Sequence, residues 1–452
     1  MRRDALDRRS FLRASALGAS VALGSAARAA QPKPNFLLVI CDQMNLDAMS
    51  YLGNANVRTP NLDRLARRGV TFLESHSTSP VCSPARSSLM TGRMPVETGV
   101  VHNDLPIRDG MPSLGEWLRD RAGYEAVYCG KWHIPQGYAY AGMPGFRALP
   151  TGGGQGALDD AWVSRTCEAY LRNRAARPKP PFLLVASFMQ PHDICYWTIR
   201  PETLVPGEMP FPALTDELPP LPPNHKSFPD GPPQVGTGYP NFDTDLRWRY
   251  YLYCYYRMVE MLDSDVGRLL DTLEQTGLDE TTLVVFTSDH GEGAGRHGNV
   301  QKWHPYDESM KVPMVCALPG RVPPGRVDPE HLVSGLDVMS TLCDYAGVEP
   351  PPDARGLSLR PLLEGRRPRW RDHLVCDWKA EGKIVRTSRY KLVTYADEPK
   401  LQLFDMQQDP WETINLAGDT RVAATIDEHR RLLREWQSRL DPAPAPDQGG
   451  RR

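Results

Sequence analysis

Residues 35–43 read N-F-L-L-V-I-C-D-Q. The apolar residues are consecutive rather than alternating, which predicts a β-strand covered on both faces, as in a parallel sheet. The run then stops abruptly at Asp42-Gln43. Three later runs have the same form. Residues 125–129 (E-A-V-Y-C) lead into Gly130-Lys131-Trp132-His133, and residues 182–188 (F-L-L-V-A-S-F) lead to Gln190-Pro191-His192. Residues 283–288 (L-V-V-F-T-S) lead into Asp289-His290-Gly291. Helical patterns lie between them, at 60–68, 113–122, 159–174 and 243–276. Strands alternating with helices predict an α/β fold, a large, mostly parallel sheet flanked by helices. In such sheets the site lies beyond the carboxyl ends of the strands. The polar residues that close these four strands are therefore expected to meet.

Further along, the pattern changes. Short strand-like runs at 373–378, 383–387, 390–394 and 401–405 predict a smaller antiparallel sheet, closed by a helix at 425–440. We expect a catalytic α/β domain over 31–371, a C-terminal α+β subdomain over 372–440 and a disordered tail over 441–452. Residues 201–239 are Pro-rich and without period, which suits a long surface excursion near a site mouth. A net charge of −2 with no charge run gives no reason to expect a nucleic-acid partner or a polybasic membrane patch. Nine Cys in 452 residues do not make a disulfide scaffold. At the N-terminus, Asp7-Arg8-Arg9-Ser10-Phe11-Leu12-Arg13 is a twin-arginine pattern, followed by a modest apolar run and Ala27-Arg28-Ala29. The apolar run is too short and Gly/Ser-rich for stable membrane insertion. Residues 1–30 are read as a signal peptide for the twin-arginine export machinery of a bacterium, placing the mature chain in the periplasm or outside the cell.

Residues 81–92 read V-C-S-P-A-R-S-S-L-M-T-G. Pro84 suits a first helical turn and Ser83 an N-cap. Cys82 would then sit at the positive end of a helix dipole with Arg86 about one turn on, a start that favours an anionic group. The spacing C-x-P-x-R, closed by Thr91-Gly92, resembles the signature of type I sulfatases of the alkaline-phosphatase superfamily. Ala85 stands where many members have Ser. The stretch 403–417, L-F-D-M-Q-Q-D-P-W-E-T-I-N-L-A, is similar to the C-terminal subdomain of that family.

The resemblance implies that Cys82 is oxidised to formylglycine (3-oxoalanine) by a formylglycine-generating enzyme. It implies a divalent metal held by Asp42, Gln43, Asp289, His290 and the converted residue 82. Two carboxylates make Ca2+ the first choice, while the imidazole keeps Mn2+, Mg2+ and Zn2+ open. The Gln-plus-His version is more like choline sulfatases and phosphonate monoester hydrolases. Lys131 and His133 match the family's G-K-W-H segment, His192 its P-H after a strand, and Lys302 a lysine shortly after the metal pair. Arg86 would hold the nucleophile's oxygen, and Lys131, His192, Lys302 and His297 would bind substrate. His102, Asn103 and His304 are wall residues at most.

In the implied mechanism the hydrated aldehyde attacks sulfur, and His192 or Lys302 protonates the leaving alcohol. His133 then deprotonates the second hydroxyl and sulfate departs. The function expected is hydrolysis of sulfate esters, of small molecules or oligosaccharides, with carbohydrates favoured by Trp132, Tyr196, Trp197 and Trp303. The alternatives are a phosphonate monoester hydrolase or phosphodiesterase of the same superfamily, a choline or aryl sulfatase, and an exported binding protein with a decayed site.

Overall fold

Strand β1 (Asn35–Asp42) is buried because helices cover both sides of it. Phe36, Leu38 and Ile40 enter one hydrophobic cluster, and Leu37, Val39 and Cys41 enter the other. The computed structural model describes residues 32–135, 144–151, 154–176, 180–196, 212–230, 242, 244–378, 382–395 and 400–444. Residues 1–30, Trp197, much of 201–239 and residues 445–452 lie outside the described residues, whereas the first part of the expected tail is held on the body, with the Ala443 N–H donating to the Val96 carbonyl at 2.8 Å and the Asp441 N–H to Glu97 Oε1 at 3.1 Å.

The remaining strands of the body are β2 (Val70–Phe72), β3 (Ser75–His76), β4 (Glu125–Gly130), β5 (Arg147–Ala148), β6 (Phe182–Pro191), β7 (Thr282–Ser288), β8 (Met314–Ala317), β9 (Arg326–Asp328) and β10 (Val333–Ser334). Seven of them join β1 in one sheet in the order β5-β4-β6-β1-β7-β8-β2-β9, while β3 pairs with β10. The five strands from β5 to β7 are parallel, and β8 runs antiparallel to both β7 and β2.

Helices α1 (Pro60–Arg68), α2 (Cys82–Thr91), α3 (Leu114–Ala122), α4 (Gly156–Ala175), α5 (Asp245–Thr276) and α6 (Asp337–Ala346) flank this sheet. Leu62, Leu65, Val163, Leu171, Val259 and Leu262 place α1, α4 and α5 on one face. Leu89, Leu118, Met339 and Leu342 place α2, α3 and α6 on the other.

The C-terminal strands β11 (His373–Trp378), β12 (Gly382–Thr387), β13 (Tyr390–Thr394) and β14 (Leu401–Asp405) form an antiparallel sheet in chain order. Val385, Leu392 and Leu403 pack under α7 (Ala423–Gln437) through Leu432 and Leu433. The opposite face packs Trp378, Ile384 and Phe404 against Tyr306 and Met310 of the body. Buried Lys391 joins the two parts, 2.9 Å from Asp307 and 2.6 Å from Glu412.

Two helix starts differ from the sequence reading. Helix α2 begins at Cys82 with Val81 as its cap residue, so Ser83 lies inside it. The Ser83 hydroxyl instead donates to the His133 carbonyl, and the Ser83 N–H donates to Asn103 Oδ1 at 3.0 Å. Helix α4 begins three residues earlier than the sequence period suggests. There the Asp193 carboxylate accepts from the N–H groups of Gly156 (3.1 Å) and Ala157 (2.8 Å), a cap contributed from beyond β6.

Candidate active site

The four strand exits converge. Asp42 ends β1, Asp289 and His290 follow β7, Lys131 follows β4, and His192 follows β6. Gly130 makes the β4 exit feasible, because it has φ +101° and a Cβ there would lie 1.9 Å from the Ser187 carbonyl oxygen. At the centre stands Arg86 of α2, 1 % exposed. Its Nε donates to Asp289 Oδ2 at 2.7 Å and its Nη2 to Asp42 Oδ2 at 2.9 Å. Nη1 donates to the Lys131 carbonyl and to Ser187 Oγ, both at 2.9 Å. With these four bonds Arg86 fixes the two carboxylates in place. Lys131 Nζ lies 2.6 Å from Asp42 Oδ2.

Cys82 Sγ sits 3.1 Å from His290 Nε2, 2.9 Å from Lys302 Nζ and 3.8 Å from Asp42 Oδ1. Lys302 also donates to Gln43 Oε1 at 3.1 Å. Gln43 Nε2 donates to Glu292 Oε2 at 2.5 Å, which turns the amide oxygen toward Lys302. Glu292 is itself held by the Tyr251 hydroxyl (2.7 Å) and the N–H groups of Gln301 (2.6 Å) and Ala294 (3.1 Å). Lys302 is therefore presented by a constrained loop. Its neighbours Gln301 and Trp303 have φ +62° and +81°, and the Trp303 carbonyl accepts from Trp378 Nε1 of β11 at 2.8 Å.

The charges decide the protonation states. Burial and the Asp42 charge push the Cys82 thiol up, but Lys302, Lys131 and His290 outweigh them and hold it well below its usual value. Burial also opposes ionisation of Asp42, yet Lys131, His192 and Arg86 keep it well below the carboxylate range. Asp289, buried beside Asp42, is pushed up to about 6. Burial, reinforced by Lys131 and Lys302, lowers His192 to about 3, so its imidazole is neutral near pH 7. Lys302 is buried, but Cys82 and Asp42 hold it protonated well above its ordinary range.

His192 Nδ1 and His133 Nδ1 are buried without a hydrogen-bond partner among the described residues. His133 has φ +58° beside Lys131, and none of its described contacts reaches Cys82. His297 is placed elsewhere. It is 1 % exposed, its Nδ1 pairs with Glu308 at 2.9 Å, its Nε2 with the Glu412 carbonyl at 3.2 Å, and its ring stacks on Tyr306. Those contacts tie the loop apex to the C-terminal sheet and leave no nitrogen for a substrate, which corrects its assignment as a substrate ligand. His304 is likewise buried, on Ser309. Sequence reasoning missed Glu292, Tyr251 and Ser187. Glu292 stands two residues after His290, and that proximity was the one available signal.

The donor set fits a divalent cation. Asp42, Cys82, Asp289 and His290 each offer one ligand atom, and these atoms lie within 4.8 Å of one another. His290 Nδ1 bonds the Gly291 carbonyl at 2.8 Å, which turns Nε2 to the cluster. Gln43 Oε1 borders it through Lys302.

A family model described as Sulfatase matches residues 34–348, and one described as N-sulphoglucosamine sulphohydrolase, C-terminal, matches residues 295–439. The chain is 31% identical over 455 residues to the Delta 4,5-hexuronate-2-O-sulfatase of Bacteroides thetaiotaomicron, spanning 93% of this chain and 92% of that one. A solved 2-O GAG sulfatase is similar with a TM-score of 0.78 at 28% identity, over 90% of this chain and 92% of that one. The phosphonate monoester hydrolase of Agrobacterium radiobacter is similar with a TM-score of 0.72 at 26% identity, over 90% and 96%.

Proposed function

The chain belongs to the sulfatase family of sulfuric ester hydrolases, and on that premise we propose that it hydrolyses carbohydrate sulfates at the cluster around Cys82. The observation that carries the reading is the ring of cationic and metal-type groups about one nucleophile position, with Lys302 at 2.9 Å and His290 at 3.1 Å from Cys82 Sγ. The carbohydrate preference rests on relatives named for hexuronate and GAG sulfates.

Formylglycine made from Cys82 would supply, as its hydrate, an oxygen nucleophile with a second hydroxyl for release. A divalent cation held by Asp42, Asp289 and His290, with Gln43 alongside, would stabilise charge on that oxygen, and Ca2+ is the first choice. Arg86 keeps both carboxylates aimed inward. Lys131 and Lys302 neutralise sulfate oxygens in a buried site, where fixed charges act strongly. Lys302, which also donates to Gln43 Oε1 at 3.1 Å, acts as a charge clamp. His192 then has the role of proton donor, because an arriving sulfate would raise its proton affinity beside the leaving oxygen. His133 takes the proton of the second hydroxyl.

We place residues 1–30 as the twin-arginine signal and the enzyme in the periplasm or outside the cell. Among the described residues no helix is long and apolar enough to cross a membrane. Residues 31–371 would carry the chemistry. Residues 372–440 would brace the loop that holds Lys302.

The test is release of inorganic sulfate by enzyme co-produced with a formylglycine-generating enzyme, with Cys82→Ala as control. The substrates are an unsaturated 2-O-sulfated hexuronate disaccharide, a 6-O-sulfated N-acetylglucosamine, choline sulfate, an aryl sulfate and a phosphonate monoester. The proposal expects a sulfated sugar to have the highest kcat/KM. A higher value for the phosphonate or for choline sulfate overturns it.

A further inference from the structure

Resting on the sulfatase reading and going past it, we propose that before Cys82 is converted the same four residues form a zinc–thiolate site, so that conversion changes which metal the chain holds. The geometry is the first argument. Cys82 Sγ lies 3.1 Å from His290 Nε2 and 3.8 Å from Asp42 Oδ1. His290 Nε2 lies 3.8 Å from Asp42 Oδ1 and 3.7 Å from Asp289 Oδ1. A tetrahedral zinc with bonds of about 2.0–2.3 Å has edges between its donors of roughly 3.3–3.8 Å. These four edges need only small movements to match, and the two from Asp289 Oδ1 to Cys82 and Asp42 are within 4.8 Å.

The surroundings already hold each donor in place. Arg86 and Lys131 bind Asp42 through Oδ2, at 2.9 and 2.6 Å, and leave Oδ1 toward the sulfur. Arg86 Nε holds Asp289 through Oδ2 at 2.7 Å. His290 Nδ1 gives its hydrogen to the Gly291 carbonyl, so Nε2 is the nitrogen turned to the cluster. Ligands oriented in this way by outer partners are what a tight metal site requires.

Donor chemistry separates the two states. One sulfur, one imidazole nitrogen and two carboxylate oxygens are a zinc set, whereas Ca2+ takes six to eight oxygens. Zinc binding forms one Zn–S and one Zn–N bond, and the proton shared between Sγ and His290 Nε2, 3.1 Å apart, leaves to solvent. Lys302 gives up its 2.9 Å contact with Sγ and keeps Gln43 Oε1 at 3.1 Å. Conversion replaces the sulfur with oxygen and removes the thiolate charge, which shifts the balance toward a hard cation.

The experiment compares three full-length proteins: unconverted chain made without the generating enzyme, converted chain, and Cys82→Ser. Each is equilibrated with buffered Zn2+ in the presence of excess Ca2+, and metal per chain is read by elemental mass spectrometry. Co2+ loading then reports a sulfur-to-metal charge-transfer band. The unconverted chain should hold one zinc, at least ~100-fold tighter than either of the others, and should alone show the cobalt band. Equal zinc affinity in the unconverted chain and Cys82→Ser, or no zinc in the unconverted chain, overturns the proposal. If Cys82→Ser does not fold, as judged by its thermal transition, the converted chain supplies the comparison. Sulfate release is assayed separately. Its loss with the zinc difference intact would discard the sulfatase reading alone, and its presence with equal zinc would discard only this proposal.

Discussion

Replacing Arg86 with methionine, which keeps the length and removes the charge, should destabilise the metal-free protein strongly. Arg86 is 1 % exposed and holds Asp289 at 2.7 Å and Asp42 at 2.9 Å. Removing one side of a buried ion pair leaves an uncompensated charge and costs about 3–5 kcal/mol. Lys131 still pairs with Asp42 at 2.6 Å, so the loss falls mainly on Asp289. That carboxyl is already pushed up to about 6 by burial and Asp42, and without the guanidinium it rises further. Protonation can therefore relieve it, and each pH unit by which the solution lies below the new pKa of Asp289 spares about 1.4 kcal/mol. The destabilisation should be larger at pH 8 than at pH 6. A bound divalent cation supplies the missing charge, and at 100 times its Kd it restores about 2.7 kcal/mol. Urea unfolding with chelator and with cation, at both pH values, reads all three effects from the midpoints if the m-value is unchanged. A loss below ~1 kcal/mol at pH 8, or a loss indifferent to pH and cation, would refute the claim that Arg86 serves the carboxylates.

Trp378→Phe removes the indole N–H that binds the Trp303 carbonyl at 2.8 Å and should let the Lys302 loop drift. Leaving that carbonyl unpaired is worth about 1–3 kcal/mol, so kcat/KM should fall by roughly 10-fold, and wild-type kinetics would refute the brace. His192→Gln should slow poor leaving groups by 10²–10⁴-fold or so and aryl sulfates much less, read as a steeper dependence of kcat on leaving-group pKa. An equal loss for all esters would remove His192 as the proton donor. Acid should weaken the fold in two stages. Burial lowers His304 from 6.5 to about 4, so in that window the unfolded chain takes up a proton that the folded chain refuses. The stability from this group is full above pH 6.5 and lost as pH falls toward 4, on the order of 3 kcal/mol. Glu74 is held at about 2 against its burial by His76, Lys311 and Arg386, so its contribution is full above 4.5 and lost below. His304→Gln should make the first stage shallower in urea titrations from pH 7 to 4, with buried His192 supplying the rest, and an unchanged slope would contradict it.

Much of this site was written in local sequence. Strands β1, β4, β6 and β7 announce themselves by unbroken apolar runs, since a strand covered on both faces has no polar side. The residues at their exits, Asp42, Lys131, His192, Asp289 and His290, follow from where those runs stop. What escaped the sequence is what depends on distant partners. Strand β8 is only four residues long and takes its direction from β7 and β2. The start of α4 is set by Asp193, and that of α2 by Asn103 and His133. Arg86 sits one turn into its helix as expected, but its partners were chosen by the packing of α2 against the strand ends. His297 sits near enough in sequence to Asp289 to suggest the same pocket, yet its φ of +49° and its pairing with Glu308 turn it into the seam with the C-terminal sheet.

The account stands most directly on the chemical state of residue 82. The deciding measurement is the mass of the peptide carrying that residue, taken from enzyme preparations of graded sulfatase activity. An aldehyde whose fraction rises in proportion to kcat is the predicted result. Full activity from chain in which Cys82 remains an unmodified thiol would contradict the formylglycine mechanism and leave a thiol-dependent hydrolase in its place.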